Sequence, residues 1–165
     1  GNCNLTWYGG LIPTILTNKY IMSLEGFVSK FKISTDELIQ IIQDALNEEK
    51  EYILVLQKQQ LAKGQKADGT STPRYSPKTI KVRDAEGNPV KGERIAFYDT
   101  GDFWNKMWSL AENGELEIYS SDGKTEMLLA TYGENILGLT DENIEQLLER
   151  VVPIIQEKMI QHILR

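Results

Sequence analysis

The residues best suited to chemistry in this chain stand together at Asp99-Thr100-Gly101-Asp102, directly after the apolar run Ile95-Ala96-Phe97 and directly before Phe103-Trp104. Aspartate and threonine side chains can hydrogen-bond nearby backbone, and glycine admits positive φ. The stretch therefore predicts a sharp turn in which Asp102 caps a short helix carrying Phe103, Trp104 and Met107 inward. The triplet also has a chemical reading. Two copies of the loop, brought together, would let two Asp99 carboxylates share one proton for acid-base hydrolysis. Against it, the middle of the chain is poor in strands. The turn is thus expected to be architectural.

Other reactive side chains are few. Cys3 is the single cysteine and His162 the single histidine, which excludes an internal disulfide and a closed Cys/His zinc site. His162 lies near the C-terminus on a helical pattern, where the helix dipole favours it, and no nucleophile accompanies it. Gly64, Gly69, Gly87 and Gly92 match neither a phosphate loop nor a dinucleotide fingerprint. The acidic groups Glu48, Glu49, Glu51 and Asp141, Glu142, Glu145 read as solvated helical faces. No catalytic, cofactor-binding or metal site is expected, and no cofactor.

The elements that must position the turn follow from periodicity. Ser34 and Glu37 have capping-box spacing ahead of Leu38, Ile41, Ile42, Ala45 and Leu46, and Tyr52, Ile53 and Leu56 continue the pattern. One long helix is predicted to run to about Ala62, with Gly64 ending it. Residues 63–94 carry many turn formers and read as a long polar loop or flap, with Lys81 to Arg83 and Pro89 to Lys91 as a two-stranded ribbon about Glu86-Gly87-Asn88. Asn113-Gly114 between β-prone runs predicts a hairpin, and Met127-Leu128-Leu129 is ambiguous in type. Thr140 and Asp141 open a last helix with Ile144, Leu147, Leu148, Val151, Ile155, Met159 and Ile163 on one stripe; Pro153 predicts a kink or a break there. The fold class is α+β: a long N-terminal helix and a kinked C-terminal helix packed on a small antiparallel sheet, with a flap-like loop.

With 165 residues, 41% hydrophobic and 25% charged, the chain has the composition of one folded domain. Residues 1–21, with Lys19 as their one charge, read as an extension before a single domain over 22–165, Met22 being a possible start. Gly9, Gly10 and Pro13 interrupt its apolar stretch, so no membrane span is expected. Asn4-Leu5-Thr6 matches a glycosylation triplet of a frequent kind, and chance is the favoured explanation. The net charge of −6 argues against holding nucleic acid by broad phosphate neutralisation. That charge is uneven. Residues 58–94 hold nine basic residues against four acidic, a local +5 that leaves −11 for the rest. A basic arm on an acidic body suits copies docking head to tail, the alternative being a solvated lysine-rich loop.

The order of these motifs resembles the phage virion-morphogenesis or tail-completion family associated with Mu-like phages. Its stations are similar to Asp68-Gly69, Tyr75-Ser76-Pro77-Lys78-Thr79, Asp99-Thr100-Gly101-Asp102-Phe103, the Asn113-Gly114 hairpin and Leu137-Gly138-Leu139-Thr140-Asp141. The chain departs from the family at Arg74-Tyr75, where a tryptophan is usual, and at Tyr132 to Ile136. The resemblance implies a non-enzymatic phage or prophage structural protein, a tail-completion or head-tail joining subunit. It would form a ring with copies of itself, contact other tail or neck proteins, and belong to a virion assembled in the bacterial host cytoplasm. Tyr75, Lys78, Lys81, Arg83 and Lys91 are the expected subunit-interface residues, the basic ones meeting acidic neighbours, while Tyr75, Phe103 and Trp104 anchor the loop to the body. Two other functions stay open: a generic interaction module of a mobile element, and an aspartic-type protease using Asp99-Thr100-Gly101 as a homodimer. The second is what a resemblance of that triplet, with Ile136-Leu137-Gly138 downstream, to retroviral-type aspartic proteases implies; the chain departs from them at Asp102, where a small residue is usual.

Overall fold

The computed structural model describes residues 33–165, and the fold is α+β. The predicted extension, the start at Met22, Cys3 and the Asn4-Leu5-Thr6 triplet lie outside the described residues. The Ser34 hydroxyl accepts from the Glu37 amide while the Glu37 carboxylate accepts from the Ser34 amide, so the capping box opens helix α1 (Thr35–Glu48) as its spacing requires. The predicted single long helix is interrupted at Glu49. There the amide bonds back three residues to Leu46, a tightened turn, before α2 (Lys50–Ala62) resumes. Asn47, just before the break, turns its amide toward the hairpin, and Glu49 pairs with Arg150 of the last helix.

Helix α2 ends at Gly64 as predicted. Its amide reaches Leu61 and that of Gln65 reaches Gln60, the paired bonds of a Schellman end, with φ of +68° at the glycine. Space demands glycine here as well: a Cβ would fall 2.5 Å from that of Arg94. Of the apolar run Ile53 to Leu56, three members are buried and Val55 is exposed.

The predicted ribbon in 63–94 is a correction. Ser76 caps Thr79, Pro77 takes the first helical position where its missing N–H costs nothing, and Pro77–Ala85 is helix α3. Lys81 and Arg83 are therefore helical, and Gly87 follows the helix end in place of a hairpin turn. The remainder of the segment is loop, closed by isolated bridges between Gln65 and Ser71 and between Arg74 and Arg94.

A short helix α4 (Asp102–Asn105) leads into strands β1 (Met107–Glu112) and β2 (Glu115–Ser120), antiparallel from Met107 opposite Ser120 to Glu112 opposite Glu115. Asn113 and Gly114 both take positive φ, the conformation a two-residue hairpin needs. The ambiguous segment is helical: α5 (Thr125–Tyr132), then a 3₁₀ turn at Glu134–Ile136. Thr140 caps α6 (Asp141–Ile163), which continues through Pro153 without dividing. Pro153 and Glu149, whose carbonyl loses its bond, lie on the exposed face where water can replace it.

α6 packs on α1, and α1 and α2 both pack on β1. Ile53, Leu61, Ile118, Ile136, Leu137, Ile155 and Met159 are all nearly inaccessible, so the core draws on α2, the hairpin, the segment before α6 and α6 itself, while residues 63–94 add no buried apolar side chain. Each contributes about 2 kcal/mol of transfer free energy. No helix among the described residues is long and apolar enough to cross a membrane.

Candidate functional site

The Asp99 turn opens onto a cleft of about 230 Å³, walled by Tyr75, Phe97, Tyr98, Phe103 and Tyr132, with Arg83, Asp99, Asp102, Asp122 and Lys124 as its charged groups. The site is built from the backbone outward. Phe97 is buried with φ of +57°, a conformation that costs a non-glycine residue on the order of 1–3 kcal/mol. Its ring meets that of Tyr132 edge to face at 5.1 Å and that of Phe103 at 6.1 Å, and this packing fixes the direction in which the chain leaves for Asp99. Gly101, at φ +91°, is the cap position of α4. The predicted cap, Asp102, is instead the first residue of that helix: Thr100 supplies the hydroxyl, accepting from the Asp102 amide and donating to the Asp102 carboxylate. Phe103 is buried as expected. Trp104 is half-buried, its indole donating to the Ala96 carbonyl at 2.9 Å, and Met107 enters the core from β1.

The expected interface residues divide. Arg83 is inside its own chain, its side chain 10% exposed: Nε donates to the Asn88 carbonyl at 3.0 Å, Nη2 to the Tyr98 carbonyl at 3.3 Å, and Asp99 lies 3.8 Å away. Tyr75 sits below the guanidinium, its ring centre 5.9 Å from Cζ, and its hydroxyl accepts from the Ala96 amide. Arg83 and Tyr75 thus fasten the arm to the body, as was expected of Tyr75 alone. Lys91 lies over the Tyr98 ring at 3.9 Å. Lys78 and Lys81 differ from these. Both are exposed on α3, and neither has an ion pair among the described residues.

Asp99, 59% exposed, stands between Arg83 and Lys124, the latter at 3.6 Å, and also accepts from the Asn88 amide group. Asp122 is deeper. Burial alone would raise its pKa, but the Lys106 ammonium at 3.2 Å and the amides of Lys124 and Gly123 outweigh this and hold the carboxyl below its ordinary value. Hydrogen bonds from the Thr70 hydroxyl and amide, assisted by Asn135, lower Asp68 in the same sense. His162 is a helix-end residue, as expected, 3.2 Å from Glu37. Ile136-Leu137-Gly138 does not line the cleft, and among the described residues no group of three or more potential ligands is placed to hold a metal ion.

Sequence reading missed the buried amides of α2. Gln57 donates to the Ile136 carbonyl at 3.1 Å and accepts from the Gly138 amide at 2.7 Å. Gln60 donates to the Gly138 carbonyl at 2.8 Å and accepts from the Thr140 amide and the Asn143 side chain. Together they serve the extended segment before α6 as a neighbouring strand would. Their signal was two glutamines three residues apart among Ile53, Leu54, Leu56 and Leu61.

No family model matches this chain, and neither a curated protein nor a solved structure is significantly similar to it.

Proposed function

We propose that the chain is a non-enzymatic assembly subunit of a phage or prophage virion, of the tail-completion or head-tail joining kind, that builds a ring from its own copies. The observation that carries this reading is the pair Lys78 and Lys81, exposed on a capped helix and without an ion pair among the described residues, in a chain whose remainder is strongly acidic. Arg83 ties α3 to the Tyr98 and Asn88 carbonyls, so the helix that carries the two lysines is held in place on the body. A preformed cationic surface loses little entropy on docking. The hydrolase reading is weaker, because a proton-sharing dyad needs a carboxylate away from cations, and Asp99 faces both Arg83 and Lys124. Asp99 serves the turn.

The test is the mass of the native assembly in solution against salt. A closed oligomer at low ionic strength that loses subunits as salt rises is expected, since screening weakens exposed charge pairs. A monomer at every salt and protein concentration would refute the proposal.

A further inference from the structure

The proposed ring leaves open which surface receives the arm, and we infer that it is the outward face of the β1–β2 hairpin of the next copy. This rests on the assembly reading and specifies its second half. Alternation along the strands turns Leu116, Ile118 and Ser120 to the core and leaves Trp108, Leu110, Glu112, Glu115, Glu117 and Tyr119 on the other side. The pairs across this face are Trp108 with Tyr119, Leu110 with Glu117, and Glu112 with Glu115. The last places two carboxylates directly opposite, an arrangement that disfavours the hairpin unless a cation comes to it. No ion pair joins Glu112, Glu115 or Glu117 to a cation among the described residues.

The face also has an apolar centre. Leu110 is 41% exposed, and the Trp108 and Tyr119 rings lie beside it with centres 5.9 Å apart. Aromatic residues so placed are suited to anchoring a partner. The outer side of α3 has the complementary pattern: Lys78, Lys81 and Ala85 in successive turns, with Val82, 46% exposed, between them. Sizes agree. Nine helical residues span about 13 Å, and six strand residues about 20 Å. Two lysines one turn apart match Glu115 and Glu117, whose Cα atoms are about 7 Å apart along the strand. Seating the helix along the hairpin pairs Val82 with Leu110 and brings the ammonium groups to the carboxylates. The two faces are different surfaces of the chain, so the contact is head to tail and propagates around a ring.

Charge exchange tests it. Lys78→Glu with Lys81→Glu should weaken assembly at least tenfold, and so should Glu115→Lys with Glu117→Lys, each without lowering the melting temperature. A chain carrying all four exchanges offers opposite charges at every contact, whatever the number of subunits, and should recover the wild-type mass. If the hairpin variant assembles like wild type while the arm variant does not, the ring stands and the receiving face lies elsewhere. A four-exchange chain that folds and fails to assemble also overturns the pairing. Should the lysines unfold the hairpin, Glu115→Gln with Glu117→Gln keeps its shape and must still weaken assembly. Wild-type chain that is monomeric throughout removes the assembly proposal itself.

Discussion

Gln57 and Gln60 stand three residues apart on α2, and Lys78 and Lys81 stand three residues apart on α3, so each pair projects from one side of its helix. The glutamines are completely buried and bond only to backbone and to Asn143; the lysines are exposed and have no ion pair among the described residues. Neighbours decide the difference. Ile53, Leu54, Leu56 and Leu61 draw α2 into the core and carry the amides with them, where an amide is stable only if each of its groups finds a partner. On α3 the inward side is held by Arg83 and the half-buried Ile80, and Lys78, Lys81 and Val82 stay outside. One region uses polar groups to complete the fold. The other leaves them on the surface.

The sharpest way to break that comparison is Gln60→Leu. The substitution keeps the apolar volume but leaves the Gly138 carbonyl and the Thr140 amide without their buried partner. With about 1–3 kcal/mol for each unsatisfied group, a loss of about 3 kcal/mol or more is expected in urea unfolding. A loss below about 1 kcal/mol would mean that the segment before α6 holds its conformation without the amide. The same change in α3, to either lysine, should leave unfolding within about 0.5 kcal/mol of wild type.

Arg83→Met sharpens the comparison from within the arm. The guanidinium bonds two carbonyls and packs on Tyr75, so its loss should cost about 2 kcal/mol, read from the urea midpoint. Arg83→Lys should recover little, since one ammonium cannot reproduce the forked donation to Asn88 and Tyr98. Equal stability of wild type and Arg83→Met would place Arg83 with Lys78 and Lys81 as a surface cation and dissolve the distinction.

Local signals were legible in the sequence where a few adjacent residues determine the geometry. Ser34 with Glu37, Thr140 before Asp141, Gly64 after α2 and Asn113-Gly114 each specify their turn or cap through bonds no more than five residues long, and each is found as read. The start of α3 was equally present, in Ser76-Pro77 with Thr79, but the turn formers after Glu86 suggested a ribbon and masked it. What the sequence could not supply was long-range pairing. Gln57 meets Gly138 across 81 residues, and Arg83 meets Tyr98 only because Phe97 takes positive φ. In the candidate site the turn at Asp99 to Asp102 was legible as a turn. Its role as the wall of a cleft was not, because Tyr75, Asp122 and Tyr132 arrive from three separate elements.

The smallest effect expected is electrostatic, and it contrasts two of the aspartates that line the cleft, Asp122 and Asp99. Asp122 has its carboxyl held below the ordinary value of 3.8, so it binds a proton more weakly folded than unfolded. It therefore adds stability that is fully present above that value and is lost as pH falls through the lower, folded one. Asp122→Asn removes this dependence. Measured by thermal unfolding between about pH 5 and about pH 2, the variant should lose less stability than wild type on acidification, while being somewhat less stable at neutral pH. Asp99→Asn should be nearly silent at neutral pH: Asp99 is largely exposed, its cations lie at 3.6 and 3.8 Å, and water screens such pairs. If instead Asp99→Asn flattened the acid limb and Asp122→Asn did not, the partners of Asp122 would be ornaments of the surface. The inward and outward carboxylates would then have exchanged roles.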